Sequence, residues 1–170
     1  MKILVLLSLL FVASANAGID LVKVDKSERR MFLLDGENIV KEYRVSFGAN
    51  PKGHKQQEGD QRTPEGIYTL DYKKEDSTFY RAMHISYPNQ VDIERAKRKG
   101  VSPGGQIMVH GQNNKTSLID AAIAQRYNWT NGCIALTNPE MDEFMELVSV
   151  GTKIQIQWWV YYTVDLKQSP

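Results

Sequence analysis

The chain has 170 residues, enough to bury a real core in one domain and too few to suggest several. Lysine and arginine number 21 against 20 aspartate and glutamate, a formal charge of +1 with both signs mixed along the chain. That balance removes the electrostatic case for a nucleic-acid partner, and the densest basic run, Arg95 to Lys99, reads as the solvated side of a short helix.

The first residues have the form of an export signal. Lys2 gives the positive start, Ile3 to Val12 an apolar stretch, and Ala15-Asn16-Ala17 a small-x-small cleavage site. An apolar run of about ten residues is half of what a spanning helix needs. Cleavage after Ala17 is expected, which makes residues 1–17 the signal and residues 18–170 one mature domain, exported to the periplasm. No other segment is long and apolar enough to cross a membrane, and a monomer is expected.

From Ile19 onward, short alternating stretches dominate. Ile19 to Val24, Met31 to Leu34 and Ile39 to Phe47 form an opening β-meander, with Asp35-Gly36 as one turn. Gly48 to Arg62 is a polar loop. Gly66 to Tyr72, Met83 to Tyr87, Gln106 to Val109 and Lys153 to Val164 are further strands, rich in β-branched and aromatic residues. Three helices fit between them. Asp92 to Lys99 is short; Ser117 to Arg126 opens on Ser-x-x-Asp, with Ile119 and Ile123 on one face. From Pro139 to about Val150 the residues Met141, Phe144, Met145 and Val148 recur at helical spacing, with Asn138 as the cap. Strands outnumber helices, so a mainly β fold, a β-sandwich with a few short helices, is predicted.

The chain holds a single cysteine. In an exported protein a lone thiol has no internal partner, so it is an intermolecular link, a reactive group or a small buried hydrophobe. Its surroundings favour reactivity. Gly132 permits a close backbone approach just before Cys133, and Ile134-Ala135-Leu136 then runs apolar, as a short buried strand does. Upstream, Ile107-Met108-Val109 delivers His110 to a strand end, where Gly111 turns the chain. A histidine within reach of a thiol takes its proton and returns it to a leaving amine. A satisfied core histidine is the alternative. His54, His84, His110 and Cys133 show none of the short spacings of zinc sites, so no metal is implied, and no organic cofactor either.

The ordered set His110-Gly111 followed by Thr130-x-Gly132-Cys133 resembles the motif of the L,D-transpeptidase catalytic domain, the YkuD domain. Arg62-Thr63-Pro64-Glu65-Gly66 is similar to that family's Thr-Pro-x-Gly segment, and Met83 to Pro88 and Asn138-x-Glu140-Met141 look like a Gram-negative branch of it. The resemblance runs from about Leu21 to Gln157, and implies an L,D-transpeptidase-like β-sandwich with Cys133 as nucleophile and His110 as base. It also implies a backbone carbonyl at Gly111 orienting the histidine, and an oxyanion hole from the amides of Gly132 and Cys133. The substrate it implies is a peptidoglycan stem peptide, cut between diaminopimelate and D-alanine, with the acyl group passed to an amine or to water.

Two departures from the family pattern stand out. Asn131 replaces a frequent histidine, and Ala135 replaces a frequent arginine thought to hold a substrate carboxylate. Arg62 or Arg126 is a candidate substitute, and Thr63, Trp129, Asn131 and His84 complete the candidate substrate-binding set, although the strand-like setting of His84 also fits a structural role. Three functions stay open on the sequence: a transpeptidase, a hydrolase on the same scaffold, and a wall-binding module in which Cys133 is only packing.

Overall fold

A computed structural model describes residues 18–159. The export signal and the Val160 to Val164 end of the last predicted strand lie outside these residues. Strands β1 (Leu21–Asp25), β2 (Arg30–Asp35) and β3 (Asn38–Arg44) form the predicted meander. The alternation has its usual cause: Val22, Val24, Met31 and Leu33 face the core and are fully buried. Asp25 closes the first turn by accepting from the Ser27 amide and hydroxyl, and Gly36 closes the second at φ 58°.

β4 (Gly66–Ser77), β5 (Tyr80–Ile85), β6 (Met108–His110), β7 (Ile134–Ala135) and β8 (Lys153–Gln157) complete an eight-stranded sheet in the order β3-β2-β1-β8-β4-β5-β6-β7. It is mixed, with β1 parallel to β8 and β6 parallel to β7. β4 serves both halves: Gly66 to Thr69 pair with β8, and Leu70 to Ser77 pair with β5 through two register shifts. The ends of the sheet meet as well. Just past β3, the Ser46 amide donates to the Ala135 carbonyl at 3.0 Å and the Ala135 amide to the Ser46 carbonyl at 2.9 Å. The mainly β fold expected from the sequence is therefore present, and its two halves are parts of one continuous sheet around a single core.

The helices are α1 (Gln90–Arg98), α2 (Leu118–Ala124) and α3 (Asn138–Leu147). α3 buries Met141, Phe144 and Met145 as its spacing predicts, but Thr137, not Asn138, is its cap, in a box with Glu140. Asn138 is diverted because its side-chain oxygen accepts from the Gln112 amide at 2.8 Å. α2 buries none of its residues, so Ile119 and Ile123 are exposed.

The polar loop between β3 and β4 is fixed from beneath by Lys26. This side chain is fully buried and spends its three protons on the Gly53 carbonyl (2.9 Å), the Thr63 carbonyl (2.8 Å) and Glu65 Oε1 (2.9 Å). Burial pulls the ammonium pKa down, and the Glu65 hydrogen bond and charge oppose that. Lys26→Met leaves two carbonyls and a carboxylate unpaired, so we expect a loss of about 3 kcal/mol in denaturant unfolding. A loss below about 1 kcal/mol would mean that other contacts hold the loop.

Candidate active site

β6 is held between β5 and β7, through Ala82 opposite His110 on one side and Ala135 on the other. This places His110 at a fixed strand end, where its carbonyl accepts from the Leu136 amide at 2.9 Å. Gly111 follows because nothing larger fits. A Cβ there would lie 2.7 Å from Asn138 Oδ1 and 3.0 Å from Tyr80 Cβ. The Gly111 carbonyl turns back to His110 Nδ1 at 2.7 Å. A carbonyl oxygen only accepts, so Nδ1 carries the proton and Nε2 keeps its lone pair. The ring packs on Phe79 (centroids 4.6 Å apart) and on Trp129 (5.8 Å), and the residue is 4% exposed. Burial holds its pKa below the usual 6.5, with the Gly111 bond pulling the other way.

The sulfur is delivered by the turn Thr130-Asn131-Gly132-Cys133. Thr130 Oγ1 accepts from the Gly132 amide (3.1 Å) and donates to the Cys133 carbonyl (2.7 Å), which closes the turn on itself. The turn is docked by the Thr130 amide on the Phe47 carbonyl and by the Ala49 amide on the Thr130 carbonyl. Gly132 has φ 132°, and a Cβ there would lie 2.7 Å from the Arg62 carbonyl oxygen. Gly132→Ala is therefore expected to cost about 2 kcal/mol and to displace the sulfur, so turnover should fall more than stability. Full activity with an unchanged melting temperature would refute this.

Cys133 is half-buried, and its Sγ lies 3.6 Å from the Gln106 carbonyl, which accepts its proton. Burial pushes the thiol pKa up, while a hydrogen bond from the Met108 backbone and the charge of Lys55 bring it part of the way back. The resting pair is thus a neutral thiol and a neutral imidazole. Both line one cleft of about 500 Å³, with Phe79, Asn113, Trp129 and Asn131 among its walls.

The model of the L,D-transpeptidase catalytic domain (YkuD) matches residues 19–156. The chain belongs to this family. Among its relatives, YafK of Escherichia coli (strain K12), a candidate L,D-transpeptidase, is 28% identical over 134 residues, covering 75% of this chain and 46% of that protein. The crystal structure of the helical cell shape determining protein Pgp2 from Campylobacter jejuni superposes with a TM-score of 0.63 at 27% identity, over 83% of this chain and 48% of that one. An L,D-transpeptidase from Mycobacterium smegmatis matches at TM-score 0.53 and 17% identity, over 81% of this chain and 58% of its own; this shows the shared fold. The chain spans about half the length of the curated relatives it matches.

Within this L,D-transpeptidase domain the other predicted site residues separate. Trp129 and Asn131 line the cleft, and Trp129 Nε1 is the one shielded side-chain nitrogen or oxygen without a partner among the described residues. Thr63 does not reach the cleft. It is fully buried, and its hydroxyl accepts from the Gly48 amide at 3.1 Å, so it secures the loop. Arg62 contributes its carbonyl to the close contact with Gly132, but its guanidinium lies beside Gly53, outside the cleft. Arg126 borders a different hollow with Arg44 and Glu140. His84 is on the outer side of β5, bonded to Asp71 at 2.7 Å and stacked on Tyr72 at 4.6 Å. The Gly132 amide, expected in the oxyanion hole, is engaged by Thr130.

Sequence reasoning missed two residues. Phe79, in the turn between β4 and β5, packs on the His110 ring, and nothing in the local Thr78-Phe79-Tyr80 run marks it. Lys55 is the cation whose charge reaches the sulfur. It lay in a polar loop with nothing to mark it.

Proposed function

We propose that this domain is a cysteine acyltransferase acting on peptidoglycan stem peptides, exported by residues 1–17 to the periplasm. One observation carries the reading: the only thiol of the chain shares a cleft with an imidazole whose Nδ1 proton is committed to Gly111, leaving Nε2 basic.

The chemistry follows from these protonation states. Sγ attacks the carbonyl carbon of the third stem residue as its proton passes to His110 Nε2, so no resting ion pair is required. The oxyanion faces the Cys133 amide, since Thr130 retains that of Gly132. Collapse breaks the C–N bond, and the imidazolium gives its proton to the departing D-alanine amine. A thioester on Cys133 remains. An acceptor amine or a water then attacks it, giving its proton to Nε2, and the thiol leaves with that proton restored. Asn131 offers its side-chain amide to the peptide, and the Trp129 ring forms part of the cleft wall against which the peptide packs.

Incubating the purified protein with isolated muropeptides, read by mass spectrometry, tests the reaction and its acceptor. Transfer gives cross-linked dimers or exchange of the terminal residue for an added amine. Peptides that are only shortened would assign the domain to hydrolysis, and intact peptides would remove the enzyme reading.

A further inference from the structure

Beside the catalytic cleft lies a second hollow, of about 350 Å³, that no step above uses. It shares Asn131 with the cleft and includes Ile107, the neighbour of the residue whose carbonyl takes the thiol proton. His110 does not line it. Its walls carry one charge of each sign, Lys55 and Glu58, together with Gln61.

The two charges are held differently. Lys55 is 3% exposed, and Asp60 Oδ1, at 2.8 Å, is its one partner among the described residues. Asp60 is itself saturated by the amides of Gln56 (2.7 Å), Gln57 (3.1 Å) and Arg62 (3.0 Å). This carboxylate therefore orients the ammonium, and two of the three ammonium donors remain for whatever occupies the hollow. An enclosed ammonium with unused donors is costly unless an acceptor meets it. On the facing wall Glu58 is tethered by its amide to the Ser102 carbonyl (2.8 Å) and by Oε2 to the Ser102 hydroxyl (3.0 Å). Gly104, at φ 72°, keeps that wall clear, since a Cβ there would lie 3.2 Å from Glu58 Cα.

We propose that this hollow is a receptor for a zwitterionic amino-acid head group, an ammonium and a carboxylate on one carbon, with Lys55 meeting the carboxylate and Glu58 the ammonium. The assignment rests on the acyltransferase reading for its use in catalysis, but not for the binding itself. It also explains how the domain manages with Ala135, which is fully buried and lends no charge to the site. Two sources present such a group: the far end of a diaminopimelate in the donor peptide, or a free amino acid arriving as acceptor.

The test uses the mature protein carrying Cys133→Ala, titrated with two stem peptides that differ only in diaminopimelate or lysine at the third position. With a donor source the diaminopimelate peptide binds at least about tenfold more tightly, and Lys55→Met and Glu58→Gln each abolish the preference. With an acceptor source the two peptides bind alike, and in the Cys133 protein each of the same variants raises the KM for free D-alanine as acceptor about tenfold. Either pattern supports the receptor and names its source. Unchanged binding and unchanged acceptor KM in both variants would overturn it. So would an equal loss on both peptides with no change in acceptor KM. Glu58 is exposed, so its variant keeps the test decisive if Lys55→Met fails to fold. Absence of Cys133-dependent turnover in the wild type would remove the proposed function, while the peptide titration would still report on the hollow.

Discussion

Cys133→Ala is expected to lower turnover of stem peptides by at least about 10⁴-fold while leaving the fold intact. The covalent route is lost outright, because no other thiol exists in the chain and His110 has nothing of comparable nucleophilicity to deprotonate. What remains is whatever the oxyanion donor and binding supply to a direct attack by water. The fold should tolerate the change because the sulfur is half-buried at a cleft wall and is held only by backbone groups of one neighbouring segment, the Gln106 carbonyl and Met108. The wild type should also take up a carbapenem covalently, read as a mass increment, and the variant should not. Substantial residual activity, above about a tenth of wild type, would return Cys133 to a packing role and favour a wall-binding module.

His110→Gln is expected to reduce kcat/KM by about 10³-fold and to erase the acid limb of the pH profile. The sign follows from burial. The proposed base is the neutral imidazole, and burial holds its pKa below 6.5, so the acid limb of wild-type kcat/KM is expected to be centred below pH 6.5. Stability follows the same direction. An unfolded histidine protonates near 6.5 and the folded one resists, so folding stability is complete above that pH and is lost as pH falls below it. Glutamine cannot titrate, so the variant should lose both dependences together. An acid limb that persists in His110→Gln, or one centred above pH 6.5 in the wild type, would place the base elsewhere.

How much of this was legible depended on whether a residue's neighbours were close in sequence. Strands β1 and β2 could be read because each sets one face against the core, which imprints alternation, whereas β3 buries only Tyr43 and is held by its pairing with β2. The outer half of β4, Lys73 to Asp76, could not: its residues are largely exposed, and only its pairing with β5 makes it a strand. α2 has a helical cap and spacing but no core to meet, so its apolar face was misleading. The Asn138 cap shifted by one residue because Gln112, from another part of the chain, claims its side chain.

The site divides in the same way. His110-Gly111 and Gly132-Cys133 are local backbone devices, a strand end and a tight turn, and both were visible as residue types in order. Arg62 and Arg126 were favoured by proximity to those motifs, yet the guanidinium of one lies by Gly53 and the other borders a separate hollow. Phe79 and Lys55 reach the site only through tertiary contacts. Periodicity carries no information about such contacts.

The covalent mechanism stands or falls on the identity of the acylated atom. Wild-type protein mixed with a tetrapeptide, quenched within a turnover and digested, should show the donor peptide less its terminal residue attached through a thioester to Cys133. Products formed without that adduct, or an adduct carried by any other side chain, would contradict it.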